Sequence, residues 1–278
     1  PGHKLDGYNI QRVLHSSARS HVYLATHPRY RQKFVIKAPA VSFSDDPHYL
    51  EAFIRQQWVA HRVDSPALMR IYEPVPDSRF LYHICEYIEG CTLLQWIYDH
   101  PQPPLQEVRS LAQQIGNCLQ VLQRHGMAHR DLRPDNLMVT PEGVVKLIDF
   151  GSVQAGEADI FSFGVIVYEM LTGALPYEPP PNDTSRVPGQ NIRRYQSACN
   201  KREDLPRWFD LALRKACAPE PSERYSEIAE FLHDLAVPNT ELMAGFGKQP
   251  FIERNPVRFW QGVSLALVVV LVLQVLLD

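Results

Sequence analysis

His129, Arg130, Asp131, Leu132, Arg133, Pro134, Asp135 and Asn136 read H-R-D-L-R-P-D-N, and Asp149-Phe150-Gly151 begins thirteen residues after Asn136. The first motif offers a carboxylate able to accept a proton, Asp131, and an amide oxygen able to bind a hard cation, Asn136. The second adds a metal-binding carboxylate, Asp149. In this order and at this spacing the three groups suit phosphoryl transfer from a nucleoside triphosphate. A lone D-F-G would mean little in 278 residues. The eight-residue run together with D-F-G, flanked by β-type segments, is specific.

These motifs resemble those of the eukaryotic-type protein kinase family, and the resemblance runs from about Tyr8 to Leu235. K-F-V-I-K-A at 33–38 is similar to the third strand of a kinase small lobe, whose lysine, here Lys37, grips the α- and β-phosphates. The plainer reading is a strand-edge lysine in solvent. F-L-Y-H-I-C-E-Y-I-E-G at 80–90 resembles the strand and hinge beside the adenine pocket. That places Cys85 as gatekeeper and the backbone of Glu86 and Ile88 on the adenine edge. Asp159 opens D-I-F-S-F-G, similar to the helix whose aspartate anchors the catalytic loop around His129 and Arg130. Pro221 to Tyr225 resembles the late motif whose arginine, here Arg224, pairs with a buried glutamate.

The resemblance implies an α+β, two-lobed kinase fold, with a small mostly-β lobe carrying one helix and a larger mostly-α lobe. It implies ATP and Mg2+ (or Mn2+), with a protein as substrate. Asp131 would accept the substrate hydroxyl's proton, Lys37 would hold phosphates, and Asn136 and Asp149 would bind the metal. Pro134 after Arg133 resembles the Ser/Thr-type loop. Arg133 stands where such kinases carry a lysine that touches the transferring phosphate, and it can chelate phosphate in bidentate fashion.

The rest of the chain must position these groups. At 278 residues, 45% hydrophobic and 21% charged, it can bury a large core or two lobes. A net charge of −3 and the lack of a Lys/Arg cluster argue against nucleic acid as a partner. The five cysteines are scattered, which reads as reduced thiols and gives a zinc site no support. Alternation over residues 8–38 predicts three strands, and Leu50, Phe53, Ile54 and Trp58 predict a helix over 47–63. Residues 105–125 predict a long amphipathic helix, 158–172 an apolar helix stopped by Gly173, and 178–190 a surface loop. The expected layout is a linker at 1–7, the small lobe at 8–88, the large lobe at 89–237 and a second linker at 238–258.

Residues 259–277 then run without a charge, long enough as a helix to span roughly 28 Å. With Arg254 and Arg258 before it and Trp260 at its edge, this predicts a single-pass anchor in the inner cell membrane. The positive-inside rule keeps the kinase-like domain cytoplasmic. A buried core helix or oligomer seam is the rival. The chain starts at Pro1 without an initiator Met or signal peptide, so it reads as part of a longer polypeptide. L-H-S-S-A-R-S-H-V-Y-L-A, D-F-G-S and N-P-V-R-F-W-Q-G are similar to bacterial proteins that fuse a 2C-type phosphatase to a membrane-anchored kinase. That similarity implies a phosphatase domain as partner.

Three departures from the kinase pattern matter. The phosphate-loop glycines before Val22 are replaced by His15, Ser17 and Ser20, and no glycine occurs between Gly7 and Gly90. The loop should close less tightly over phosphates. The glutamate that should pair with Lys37 falls at Gln56, which leaves the lysine without a charge-assisted partner. Glu51 lies more than a turn away. Finally, only Ser152 to Ala158 separate Gly151 from Asp159, where kinases have a few tens of residues including A-P-E. Either that segment is truly deleted or the chain skips over a disordered stretch. Arg224, which otherwise would be a costly unpaired charge, favours the second. The second functional reading is a pseudokinase scaffold that restrains a partner phosphatase.

Overall fold

Alternating apolar and polar residues over the first forty positions produce a hairpin series. The strands are β1 (Lys4–Leu5), β2 (Tyr8–Ser16), β3 (Ser20–His27) and β4 (Tyr30–Pro39). The computed structural model describes residues 2–40, 42, 46–156, 159–177, 195–247, 260, 261 and 264. The short β1 was not foreseen. It pairs Leu5 with Tyr8 across Asp6 and Gly7, whose φ values of 46° and 91° suit the turn of a two-residue hairpin.

Helix α1 (Pro47–Arg62) follows. Asp46 caps it by accepting from the N–H groups of His48 (3.0 Å) and Tyr49 (3.3 Å), and Pro47 fits the first turn, where no N–H partner is needed. Phe53, Gln56 and Val59 recur every three residues and are its buried face. Strands β5 (Ile71–Tyr72) and β6 (His83–Glu86) complete a six-stranded antiparallel sheet in the order β1-β2-β3-β4-β6-β5. Tyr8, Ala25, Phe34, Ile36, Tyr82 and Ile84 form the small lobe's own core.

The large lobe contains β7 (Cys91–Thr92), α2 (Leu93–Asp99), α3 (Leu105–Arg124), β8 (Met127–Ala128), β9 (Leu137–Val139), β10 (Val145–Leu147) and β11 (Gln154–Ala155). Then come α4 (Ile160–Thr172), α5 (Arg207–Ala216) and α6 (Ile228–Ala236). Helix α3 buries Val108, Leu111, Ile115, Cys118, Leu119 and Leu122 along one stripe. Gly116 lets α6 approach, because a Cβ there would sit 2.6 Å from Leu232 Cδ1. Helix α4 ends at Gly173 in the left-handed region, φ 63°. Strands β7, β9 and β10 form one small sheet, and β8 pairs with β11 in another.

Residues 237–278 form a second unit. The 238–258 stretch, read as linker, carries α7 (Thr240–Gly247), because Asn239 caps it by accepting from Glu241 N (2.9 Å) and Leu242 N (3.2 Å). The predicted loop at 178–190 and most of the apolar stretch 259–277 lie outside the described residues. Among the described residues no helix is long and apolar enough to cross a membrane.

Candidate active site

Lys37 lies on β4 opposite Val22 of β3 and His83 of β6, so its side chain starts from the sheet's middle. Its Nζ is 3.1 Å from Asp149 Oδ2 and donates to Gln56 Oε1 at 3.2 Å. Gln56 Nε2 donates to Asp149 Oδ1, which also accepts the Gly151 N–H at 3.1 Å. The amide thus gives its oxygen to the cation and its N–H to the carboxylate. This corrects the expectation that Lys37 lacks a charged partner, because the D-F-G aspartate supplies one. Glu51 is not a substitute, since it pairs with Arg55 at 2.7 Å. Burial pushes the Asp149 carboxyl up, but Lys37 and the Gly151 N–H outweigh it and hold the group below its ordinary value.

The catalytic-loop motif sits on the β8 end. Arg130 has φ 65°, a backbone state unusual for a side chain of its size. Asp159 accepts the N–H groups of His129 and Arg130, both at 2.7 Å, and the His129 ring donates to the Asp149 carbonyl. The Arg130 guanidinium reaches the Ala155 carbonyl of β11 at 2.7 Å. Only seven residues join Gly151 to Asp159, yet Asp159 still reaches the loop. Asp131 is exposed. Asn136 closes the short 3-10 turn Pro134–Asn136 and donates from Nδ2 to the Asp131 carbonyl at 2.8 Å, which turns its Oδ1 away from that bond. Arg133 pairs only loosely with Asp135, 3.4 Å apart and both exposed, so its guanidinium is available to an anion.

On β6 Cys85 is fully buried, and burial pushes its thiol up to about 12. The Glu86 carboxylate is held by Lys146 at 2.7 Å and by the Arg70 N–H at 2.9 Å, and its own N–H donates to the Arg70 carbonyl at 2.9 Å. Ile88 packs against the large-lobe core. The geometry at Lys146 and Glu86 was not foreseen, because a sixty-residue separation leaves no local pattern.

The turn from β2 to β3 spends Ser17 on itself. Ser17 Oγ accepts from the N–H groups of Arg19 (3.3 Å) and Ser20 (3.1 Å) and donates to the Ser20 carbonyl (3.2 Å). The tip is also tied outward, since the Arg19 carbonyl accepts from the Tyr49 hydroxyl (2.6 Å) and the Ala40 N–H (2.8 Å). His15 is an exposed residue of β2 opposite Val22. Tyr49 was missed by sequence reasoning, as was His83, whose ring stacks on Phe53 at 4.1 Å and bonds the Phe53 carbonyl at 2.7 Å.

Arg224 is not left unpaired, contrary to expectation. It donates to the carbonyls of Ala218 and Pro219, each at 2.7 Å, and lies 4.8 Å above the Phe161 ring. Two backbone oxygens and an aromatic face meet a guanidinium's needs without a carboxylate.

Residues 8–158 match the protein kinase domain family. The chain belongs to that family. Among curated proteins it is similar to a probable serine/threonine-protein kinase of Clostridium acetobutylicum, 25% identical across 82% of this chain and 39% of that protein. It is also similar to the serine/threonine-protein kinase PknB of Mycolicibacterium smegmatis, 27% identical across 84% of this chain and 43% of that protein. The chain therefore spans less than half the length of these relatives. The crystal structure of the Mycobacterium tuberculosis PknI kinase domain superposes with a TM-score of 0.66 over 84% of this chain and 97% of that one, at 23% identity. The fold is that of a protein kinase, with a curled sheet lobe and a helical lobe.

A divalent cation would find two oxygen donors here, Asp149 and the Asn136 Oδ1. A pair of hard oxygens completed by substrate phosphates is the usual arrangement for magnesium, so the residues fit that ion.

Proposed function

We propose that the chain is an ATP-dependent protein serine/threonine kinase. The observation that carries this reading is the Lys37–Asp149 ion pair, joined to the loop of Asp131 and Asn136 by the His129 bond to the Asp149 carbonyl, with Asp159 fastening that loop. In the proposed reaction a substrate hydroxyl attacks the γ-phosphorus, the bond to the β,γ-bridging oxygen breaks, and ADP departs. Asp131 orients the hydroxyl and accepts its proton, and Lys37 holds the α- and β-phosphates. Arg133 stands ready to neutralise the transferring group. A bound magnesium ion would supply positive charge beside the phosphates.

The short link from Gly151 to Asp159 carries no A-P-E motif, which weighs toward the second reading below. The apolar stretch 259–277 supports a single-pass anchor in the inner cell membrane with the kinase domain cytoplasmic. The fusion-like sequence features support a 2C-type phosphatase as partner.

A second reading has its own support in Gln56 and the tied loop tip, namely a scaffold that binds nucleotide without transferring phosphate. Transfer of labelled γ-phosphate from ATP to a Ser/Thr-rich protein mixture separates the two. Kinase activity should fall by at least about a hundredfold in Asp131→Asn. Incorporation that is absent in wild type, or equal in wild type and Asp131→Asn, leaves the scaffold.

A further inference from the structure

We infer that the Arg19 guanidinium is a phosphate-binding group of this site, standing in for backbone N–H groups that the turn between β2 and β3 commits to itself. This rests on the proposed nucleotide-dependent reaction and adds to it a residue that holds the polyphosphate.

The turn's own donors are engaged. Ser17 Oγ accepts from the N–H groups of Arg19 (3.3 Å) and Ser20 (3.1 Å). The Ser17 N–H and hydroxyl both go to the Ser20 carbonyl, at 3.0 Å and 3.2 Å. The Ser16 hydroxyl is bonded to the His21 ring at 2.9 Å. The tip is fastened from outside as well. The Arg19 carbonyl accepts from the Tyr49 hydroxyl at 2.6 Å and the Ala40 N–H at 2.8 Å, and the Ala18 carbonyl accepts from the Ser42 hydroxyl at 3.3 Å. Backbone held in this way does not swing round to present its amides to an anion. The Arg19 side chain is different. It is exposed, and its guanidinium has no ion pair or hydrogen bond among the described residues. Its five N–H donors are therefore free for phosphate oxygens.

The turn lies at the edge of the right surface. His15, Val22, Lys37 and His83 are successive cross-strand partners, so they share one face of the sheet. Lys37 reaches Gln56 and Asp149 from that face. Ser20, two residues before Val22, belongs to it too, and Arg19 precedes Ser20. Tyr49 ties the tip to the same place. It begins the stripe of α1 that continues through Phe53 to Gln56, roughly 10 Å further along the helix. Its hydroxyl feels both ends, since burial and the Asp149 charge raise its pKa while the Arg19 charge lowers it. Arg19 and the Lys37–Asp149 pair thus flank one phenol. That pair sums to zero charge, so Arg19 adds a net positive charge on the small-lobe side for a polyphosphate held by Lys37.

The test is calorimetric titration of the full chain in excess magnesium, with a non-hydrolysable ATP analogue and separately with adenosine. Arg19→Ala should bind the analogue about tenfold more weakly than wild type, with adenosine affinity unchanged. Arg19→Lys keeps the charge but loses the planar fork, and should fall between. Analogue affinity equal in wild type and Arg19→Ala overturns the inference. So does an equal loss for adenosine, which marks a merely structural role in the turn. Failure of the analogue to bind wild type would sink the proposed function instead. Inorganic tripolyphosphate titrated against wild type and Arg19→Ala still decides the arginine in that case, because equal affinity overturns the inference.

Discussion

Asp159 accepts the Arg130 N–H at 2.7 Å while Arg130 stands at φ 65°. A left-handed backbone at a long side chain costs on the order of 1–2 kcal/mol, so something must hold it there. The aspartate does so, and its second oxygen takes the neighbouring His129 N–H. The guanidinium of the same arginine then ties β11 to the loop through Ala155. One carboxylate thus sets the backbone from which Asp131 projects.

Asp159→Asn keeps one acceptor and turns an N–H toward the other donor. It should lower stability by about 1–3 kcal/mol in a denaturant titration. The turnover of the fraction that remains folded should fall about tenfold or more, because Asp131 loses its fixed position.

The Lys37–Asp149 pair predicts a pH behaviour with a definite sign. Asp149 titrates below its ordinary 3.8 when folded, so the pair contributes stability above that value and loses it as pH falls through the lowered folded value. Lys37→Met should move the Asp149 carboxyl resonance upward in an NMR titration. A titration unchanged by that substitution would mean that the lysine does not hold the carboxylate.

His83 predicts a loss on the same acid side but in a higher window. Burial lowers it from 6.5 to about 4, outweighing the bond to the Phe53 carbonyl, which raises it. The unfolded chain takes up the proton first as pH falls, so stability declines between 6.5 and about 4. The loss should be on the order of 2 kcal/mol by about pH 5. His83→Gln keeps a donor for the Phe53 carbonyl but does not titrate. Thermal melts of that variant should show a flatter pH profile than wild type across this window.

Tyr49→Phe removes only the hydroxyl that donates to the Arg19 carbonyl at the tip of the phosphate loop. The expected result is a KM for ATP raised a few-fold, about 1 kcal/mol, with kcat nearly unchanged. A change in kcat alone would place Tyr49 outside nucleotide binding.

Much of this was legible in the residues. The alternation over 8–38 and the apolar spacing over 47–63 specify local structure, because a strand or helix is set by neighbours in sequence. The face that α1 buries is Phe53, Gln56 and Val59, while Ile54 and Trp58 of that spacing are exposed. The H-R-D-L-R-P-D-N and D-F-G runs named segments that meet through the His129 bond to the Asp149 carbonyl. The resemblance also named Asp159 as the anchor of the loop. Arg224 shows the limit of such reading. Its position was evident, but the carbonyls of Ala218 and Pro219 and the ring of Phe161 that receive it belong to a packing arrangement no spacing encodes.

The sequence by itself therefore determined the family, the strands over 8–38 and the helices at 47–63, 105–125 and 158–172. Only the tertiary structure decided who meets whom. Gln56 and Asp149 are ninety-three residues apart, and their hydrogen bond exists because α1 folds its buried face toward the D-F-G turn. Read alone, an amide at 56 is a lost charge. Placed between Lys37 and Asp149, it is a donor and acceptor at once. Directional hydrogen bonds act over about 3 Å, so their partners are fixed by packing and not by order along the chain.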